Sequence, residues 1–526
     1  MQRWGKYSTG YNRIPDRPDT VQLSLLVIIS HTTMNSGKCP DRFRSHRLML
    51  NHSGSMEGGL FMSLYTERLD AFVRQMRAEQ LPDVVIHNFS HYYRKLWDGE
   101  TGLIPENEIQ PVTSIDDAEA LPSRLKRIGE GNIHKTAFIK LNGGLGTSMG
   151  MKGAKSMLKV KSSLSFMDII VRQAYYADNR MPLIFMNSFS THKDTLNMLK
   201  KYSEIWGDIP VDFLQHKIPK VNAQDLSPVL WPDDPQHEWC PPGHGDIYTA
   251  LVTSGMLDRL LDVGYEYAFV SNSDNLGAVV EPVLLGYFID NGLSFMMEVA
   301  DRTERDRKGG HLAQYNNGRY LLREVAQCPD EDLDAFQDIE RHRYFNTNNI
   351  WLHLPDLKAA MERKEGLLDL PMICNQKTVD PRDSRSTLVI QLETAMGAAI
   401  STFYASGAIR VPRTRFVPVK STNDLLALRS DLYTLDKQYR VVPSPERRYN
   451  QFDIDLDLDY YKKIDNFERR FAFGPPSLVD CNSLKVRGDF RFGTDVKLEG
   501  GVRLLNEQDM PFVINDRAQI EGELRV

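Results

Sequence analysis

The stretch TAFIKLNGGLGTSMGMKGAKS, Thr136 to Ser156, decides how this chain is read. Thr136 to Leu141 reads as a buried strand, and it passes straight into five glycines within the eleven residues Gly143 to Gly153. Glycines so dense after a strand bring backbone close to a ligand, because without a Cβ successive N–H groups can point at phosphate oxygens. Lys152, Lys155, Lys159 and Lys161 follow, enough cationic charge for a polyphosphate. The plain alternative is a surface linker with a solvated basic run. Two commoner phosphate motifs fail: no Gly-Lys-Ser/Thr stands at the Walker offset, and Met149 occupies the third glycine position of GxGxxG.

Outward from this loop, from Thr136 to about Tyr439, short apolar runs alternate with helical patterns. After TAFIKL come PLIFM at 182–186, YAFV at 267–270, LSFMMEV at 293–299 and RFVPV at 415–419. That alternation predicts an α/β sheet with crossover helices, whose ligands sit beyond the carboxyl ends of the strands. Upstream, Tyr65, Leu69, Phe72, Val73 and Met76 share one face of a 3.6-period helix, and the polar stretch Pro105 to Pro122 reads as a loop or linker. Downstream, Val486, Phe492, Leu498 and Leu504 recur every six residues, as do Phe490, Val496 and Val502, and Ile514, Ile520 and Val526 resume the series. A hexad period predicts a small parallel β-helix, with an antiparallel meander as the alternative.

The bulk properties bound the function. A chain of 526 residues exceeds one hydrophobic core, and 64 lysines and arginines against 70 acids leave a net charge of -6, which gives no bulk attraction for nucleic acid. The five cysteines form no CxxC pair or other metal-ligand spacing, which fits a reducing cytoplasm. Leu23 to Ile29, the most apolar stretch, is far short of the roughly 20 residues a membrane span requires. It fits a secretory leader poorly, because prolines and aspartates interrupt the basic residues before it. Residues 1–55 read as a disordered extension, or as translation upstream of a start near Met56 or Met62. The divisions expected are a helical region at 56–130, a catalytic domain at 131–445, and a linker helix with the hexad repeat at 446–526.

KLNGGLGTSMGMKGAKS resembles the nucleotide loop of the UDP-glucose pyrophosphorylases, and the resemblance continues through PPGHGD at 241–246, SNSDNLGA at 271–278, FNTNNIW at 345–351, IQLETAMGAAI at 390–400 and VPVKSTNDLL at 417–426. It spans roughly Tyr65 to Val526. One departure is Ala154, where the family usually carries proline. The resemblance implies a Rossmann-like, mixed-sheet nucleotidyltransferase domain with a helical N-terminal segment and a C-terminal left-handed parallel β-helix. It implies transfer of the uridylyl group of UTP to glucose 1-phosphate with Mg2+ and release of pyrophosphate. It further implies nucleotide contacts from Leu141, Asn142, Gly143, Gly144, Lys155, Gln215, Gly243 and Lys420, with Lys155 and Lys420 catalytic. Substrate contacts fall to Gly143, Gly144, His244, Asn272, Ser273, Asp274, Asn348 and Glu393, and Asp274 is the implied metal ligand.

The residues bear these roles on their own chemistry, with alternatives open. A glutamine amide such as Gln215 offers the donor and acceptor a uracil edge requires, though it also reads as an ordinary strand-end residue. Gly243, His244 and Gly245 form a tight turn, in which the histidine is either a turn residue or a ligand. Asn272 and Asp274 follow a buried run, where they read as a helix cap or as ligands of a phosphate-bound cation. Lys420 precedes a helix start and adds charge to its positive end. Asn348 and Glu393 read as sugar ligands or as structural residues.

No residue set here calls for a protein nucleophile or a general base, since a phosphate oxygen attacking phosphorus is already anionic. Within the same chemistry, N-acetylhexosamine or galactose 1-phosphate is the competing substrate, distinguished by one or two hydroxyl contacts. A nicotinamide oxidoreductase is disfavoured by the failed GxGxxG spacing. A dead sugar-nucleotide binder is disfavoured because Lys155, Asp274 and Lys420 are all present. A terminal β-helix with exposed edges is a natural homo-oligomer surface.

Overall fold

The computed structural model describes Met56–Val526, apart from Lys152, Trp206 and Gly207, so the expectations for residues 1–55 and for Lys152 lie outside the described residues. Helices α1 (Met56–Ala78) and α2 (Asp83–Trp97) open the described chain, and Phe72 and Met76 of the first pack on Val85, Ile86, Phe89 and Tyr93 of the second. Tyr65, Leu69 and Val73 flank that core, as their helical spacing predicts.

A mixed sheet of eleven strands forms the centre. Its main strands are β1 (Thr136–Asn142), β2 (Leu183–Asn187), β3 (Asp212–Leu214), β4 (Tyr267–Asn272), β5 (Phe295–Asp301), β6 (Tyr344–His353) and, after the hairpin of β7 (Met372–Thr378) and β8 (Leu388–Thr394), β9 (Ser406–Arg410). They lie in the order β9-β5-β6-β4-β1-β2-β3, and β6 alone among them runs antiparallel to its neighbours. The parallel strands therefore end on one side, where Asn142, Asn187, Leu214 and Asn272 close β1, β2, β3 and β4.

Both faces are covered, which is why these strands read as near-continuous apolar runs. Phe138, Phe269, Met296 and Trp351 pack under helices α3 (Phe166–Ala177), α5 (Pro282–Asp290) and α7 (Thr422–Arg429). Ile139, Val270, Met297 and Ile350 face the opposite way, against α4 (Ile247–Thr253) and α6 (Leu354–Arg363).

Two sequence expectations need correction. RFVPV is not a strand: Arg413–Arg415 is a 3-10 turn, and beyond it only Pro418 makes an isolated bridge, to Asn275. Pro418 within it, Pro412 just ahead of it and a cationic Arg415 turned into the core suit a docked segment better than a ladder. The strand at this edge is instead β9, whose SGAIR sequence carries little apolar signal. The linker from Pro105 to Pro122 also contains two short strands, of which Asp116–Asp117 extends the sheet beyond β9.

After α7 the chain forms a second stack. Strands β10 (Asp453–Asp455), β11 (Cys481–Arg487), β13 (Lys497–Leu505) and β15 (Gln519–Arg525) pair in parallel in that order, and β12 (Phe490–Phe492) pairs in parallel with β14 (Phe512–Ile514). These pairings are parallel, not those of an antiparallel meander. Val486, Phe492, Leu498, Leu504, Phe490, Val496, Val502 and Ile514 are all buried, so the hexad period marks inward positions. Ile520 and Val526, on the last strand and the end of the chain, are only partly covered.

Candidate active site

The loop after β1 folds back on itself. Gly146 and Gly150 take positive φ (66° and 72°), and the Lys155 amide donates to the Gly144 carbonyl at 3.1 Å. Only glycine accepts such angles without strain, so the loop's composition follows from its shape. That closure carries Lys155 across to the turn after β4, where its Nζ lies 2.7 Å from Asp274 Oδ2, both side chains less than a fifth exposed. Leu141 and Asn272 are register partners on adjacent strands, and the Ser273 amide donates to the Leu141 carbonyl at 3.0 Å. Asn272 and Asp274 cap no helix; the next one begins at Pro282. Asn272 closes β4 and is only partly buried.

Asn142 is different. Its Nδ2 donates to Asn187 Oδ1 and to Thr195 Oγ1, each at 2.8 Å, and its Oδ1 accepts from Ser273 Oγ at 3.1 Å, with the residue 1% exposed. The side chains of Asn142 and Ser273 are thus spent on tying β1, β2 and the β4 turn together.

Gln215 follows β3, held by its amide on the Asn187 carbonyl at 2.8 Å. Its side-chain amide lies against Gly143: a Cβ built on that glycine would stand 2.8 Å from Gln215 Oε1. The next residue, His216, bonds through its amide and ring to Asp246 at 2.7 and 2.9 Å, which draws the Gly243–Asp246 turn to the same place. Gly243 (φ 80°) abuts the end of β8, where a Cβ would lie 2.4 Å from the Thr394 carbonyl oxygen and 3.1 Å from Glu393 Cβ.

The Met396 amide donates to His244 Nδ1 at 2.8 Å. The proton of this ring is therefore on Nε2. Burial and the nearby Lys420 charge push the imidazole down to about 4, so at neutral pH His244 is an uncharged donor. Burial also raises the Glu393 carboxyl.

Lys420 is exposed and immediately precedes Ser421, which caps α7 in a capping box with Asp424; the Lys420 amide joins that box at 2.9 Å. Upstream, the Val419 amide donates to the Asp274 carbonyl at 3.3 Å, so the lysine is set beside the same turn as Lys155. Asn348 sits at φ 56°, next to the irregularity in the β5–β6 ladder at Glu298/Val299, with its Oδ1 accepting from Asn346 at 2.9 Å. The structure thus brings Leu141, Gly143, Gly144, Lys155, Gln215, Gly243, His244, Asn272, Asp274, Glu393 and Lys420 to one side of the sheet, with Asn348 at the antiparallel strand entering it.

A family model described as UTP--glucose-1-phosphate uridylyltransferase matches residues 86–499. The chain belongs to this family. The Solanum tuberosum UTP--glucose-1-phosphate uridylyltransferase is 40% identical over 427 residues, covering 80% of this chain and 85% of that one. Among solved structures, a mutant UDP-glucose pyrophosphorylase of Leishmania major in complex with UDP-glucose superposes with a TM-score of 0.81 at 40% identity, covering 87% of this chain and 99% of its own. A UDP-glucose phosphorylase of Trypanosoma brucei gives 0.79 at 44% identity, covering 88% and 100%.

Sequence reasoning in this family missed two residues that the fold puts at the site. Asn187 holds both Asn142 and Gln215, and its only signal was its place at the end of PLIFM. Burial raises the Glu324 carboxyl above its ordinary range, against the opposing pull of the Lys420 charge and of Asn346, and nothing in its local sequence marked it.

Proposed function

We propose that this chain is a UTP:glucose-1-phosphate uridylyltransferase that forms UDP-glucose and pyrophosphate by direct in-line transfer. The observation that carries this reading is the Lys155–Asp274 pair, closed by a glycine loop at the carboxyl ends of parallel strands beside Lys420. Glycine amides at Gly143 and Gly144 receive the UTP phosphates, Gln215 and the Gly243 backbone read the uracil edge, and Lys155 neutralises the triphosphate. His244 donates Nε2–H to a phosphate or sugar oxygen. Asn272, Asn348 and Glu393 take sugar hydroxyls. Lys420 stabilises the charge that gathers at the α-phosphorus as a phosphate oxygen of glucose 1-phosphate bonds to it and the bond to the leaving pyrophosphate breaks.

A magnesium ion fits this donor set. Among the described residues no three His, Cys, Asp or Glu side chains converge as a closed metal site, and a single carboxylate facing phosphates is the pattern of magnesium held largely by substrate. Asp274 would hold it, and when bound it would spread phosphate charge. Lys155, beside Asp274, would face the same phosphate oxygens.

We read the parallel stack after α7 as a left-handed β-helix and a surface for homo-oligomers, and we place the divisions at 56–130, 131–445 and 446–526. No described helix is long and apolar enough to cross a membrane, and Cys240 and Cys481 are buried thiols; we assign the protein to the cytoplasm. The test is pyrophosphate release from UTP and magnesium with glucose 1-phosphate, run against galactose 1-phosphate and N-acetylglucosamine 1-phosphate. Release confined to glucose 1-phosphate supports the reading; release with another sugar changes the substrate, and no release with any of them overturns it.

A further inference from the structure

A charged pair lies in the core behind Lys420. Glu298, on β5 at the ladder irregularity, is fully buried, and its four acceptor positions are filled: Oε1 by Arg415 Nη2 at 2.7 Å and Trp351 Nε1 at 2.9 Å, Oε2 by Arg415 Nε at 2.8 Å and Asn349 Nδ2 at 3.0 Å. Arg415 also donates from Nη2 to the Val279 carbonyl at 3.0 Å. Its own carbonyl accepts from Asn275 Nδ2 at 3.0 Å, and Asn275 Oδ1 in turn accepts from the Val417 amide at 2.9 Å. Two residues later Val419 is on the Asp274 carbonyl. The segment 415–419 makes no ladder of its own; these bonds seat it together with the buried Val419 side chain and the Phe416 ring on Phe345, and Lys420 is the next residue.

We propose that the Glu298–Arg415 pair is a positioning element that fixes where Lys420 stands relative to Asp274 and Lys155; this rests on the role given to Lys420 above. Replacing a fully satisfied buried pair by apolar groups often costs little stability, and such pairs earn their place best where they set a register. Here the register in question is that of a strandless segment on the β4 turn. A side-on guanidinium fork fixes both distance and plane, which a lysine ammonium cannot do.

The experiment compares Arg415→Lys, which keeps the charge and loses the fork, with Glu298→Gln, which keeps the shape and loses the charge. Each is made alone and with Lys420→Ala, and is read by thermal unfolding, UTP affinity and kcat. The expected result is a folded protein with UTP affinity within about threefold of the parent and kcat lower by roughly tenfold or more, since small misplacements carry losses of that order. In the Lys420→Ala background the same changes should add no further loss. A folded variant with kcat within about threefold of the parent overturns the proposal, as does a loss that adds fully to that of Lys420→Ala. Failure of both variants to fold also overturns it, because the pair would then be a stability element. If Lys420→Ala alone leaves kcat intact, the assignment of Lys420 fails instead, whatever the pair does.

Discussion

Lys155 Nζ stands 2.7 Å from Asp274 Oδ2, with the two side chains 15% and 18% exposed. The pair joins a loop rich in glycine to a rigid strand end, so one contact sets the cation and the anion of the proposed site at once.

Loss of either partner should be felt in turnover. Lys155→Ala should lower kcat by roughly 10²-fold. Asp274→Asn should raise the magnesium concentration needed for half-maximal rate by at least roughly tenfold, because even supporting partners of a metal ligand are worth that much. Steady-state rates of pyrophosphate release over a magnesium titration measure both.

Lys420→Ala should lower kcat by roughly 10²-fold or more while UTP affinity changes little, the pattern of an interaction realised in the transition state. Near-normal kcat in this variant removes Lys420 from the mechanism.

His244 gives a pH signature. Its folded value of about 4 lies below the ordinary 6.5, so between those values the unfolded chain binds the extra proton. Its contribution to stability is therefore complete above about pH 6.5 and lost as pH falls towards 4. The thermal midpoint of the parent should fall more steeply over that window than that of His244→Gln, and the rate profile from pH 6 to 8 should carry no His244 ionisation.

Gly243→Ala should be among the costliest small substitutions. At φ 80°, with the Thr394 carbonyl oxygen 2.4 Å from the added Cβ, neither the backbone nor its neighbour can yield cheaply. A cost of about 1–3 kcal/mol is expected, read by chemical denaturation, together with weaker UTP binding.

Ala154→Pro should be tolerated. Ala154 has φ -58°, which proline adopts unforced, and its amide makes only a long 3.4 Å contact with Asp194 Oδ2. A gain of about 0.4–1 kcal/mol is expected in denaturant unfolding, because the unfolded loop loses freedom.

Much of this was legible beforehand because strands buried on both faces write themselves as apolar runs, and because a glycine-and-lysine loop has few uses. Gln215, Gly243 and Asp274 could each be placed at a strand end or a turn from local sequence. What local sequence could not supply was partnership. Glu298 within LSFMMEV is a charge in a buried strand, and Arg415 opens a run that looks like another strand, yet only the tertiary fold joins them. Asn142 likewise read as a nucleotide contact, while its side chain proves to be committed to Asn187, Thr195 and Ser273. β9 escaped because Ser406, Gly407 and Arg410 dilute its two buried apolar residues, Ala408 and Ile409.

The apolar packing beneath α3 and α7 runs on through Tyr461, Phe467 and Phe471 into Leu484, Val486, Phe490 and Phe492. A nonsense mutation or a protease cut ahead of Cys481 would therefore do more than trim an appendage. It would strip greasy surface bare on the half of the molecule that keeps the glycine loop, and such a fragment belongs in the insoluble fraction rather than in an assay.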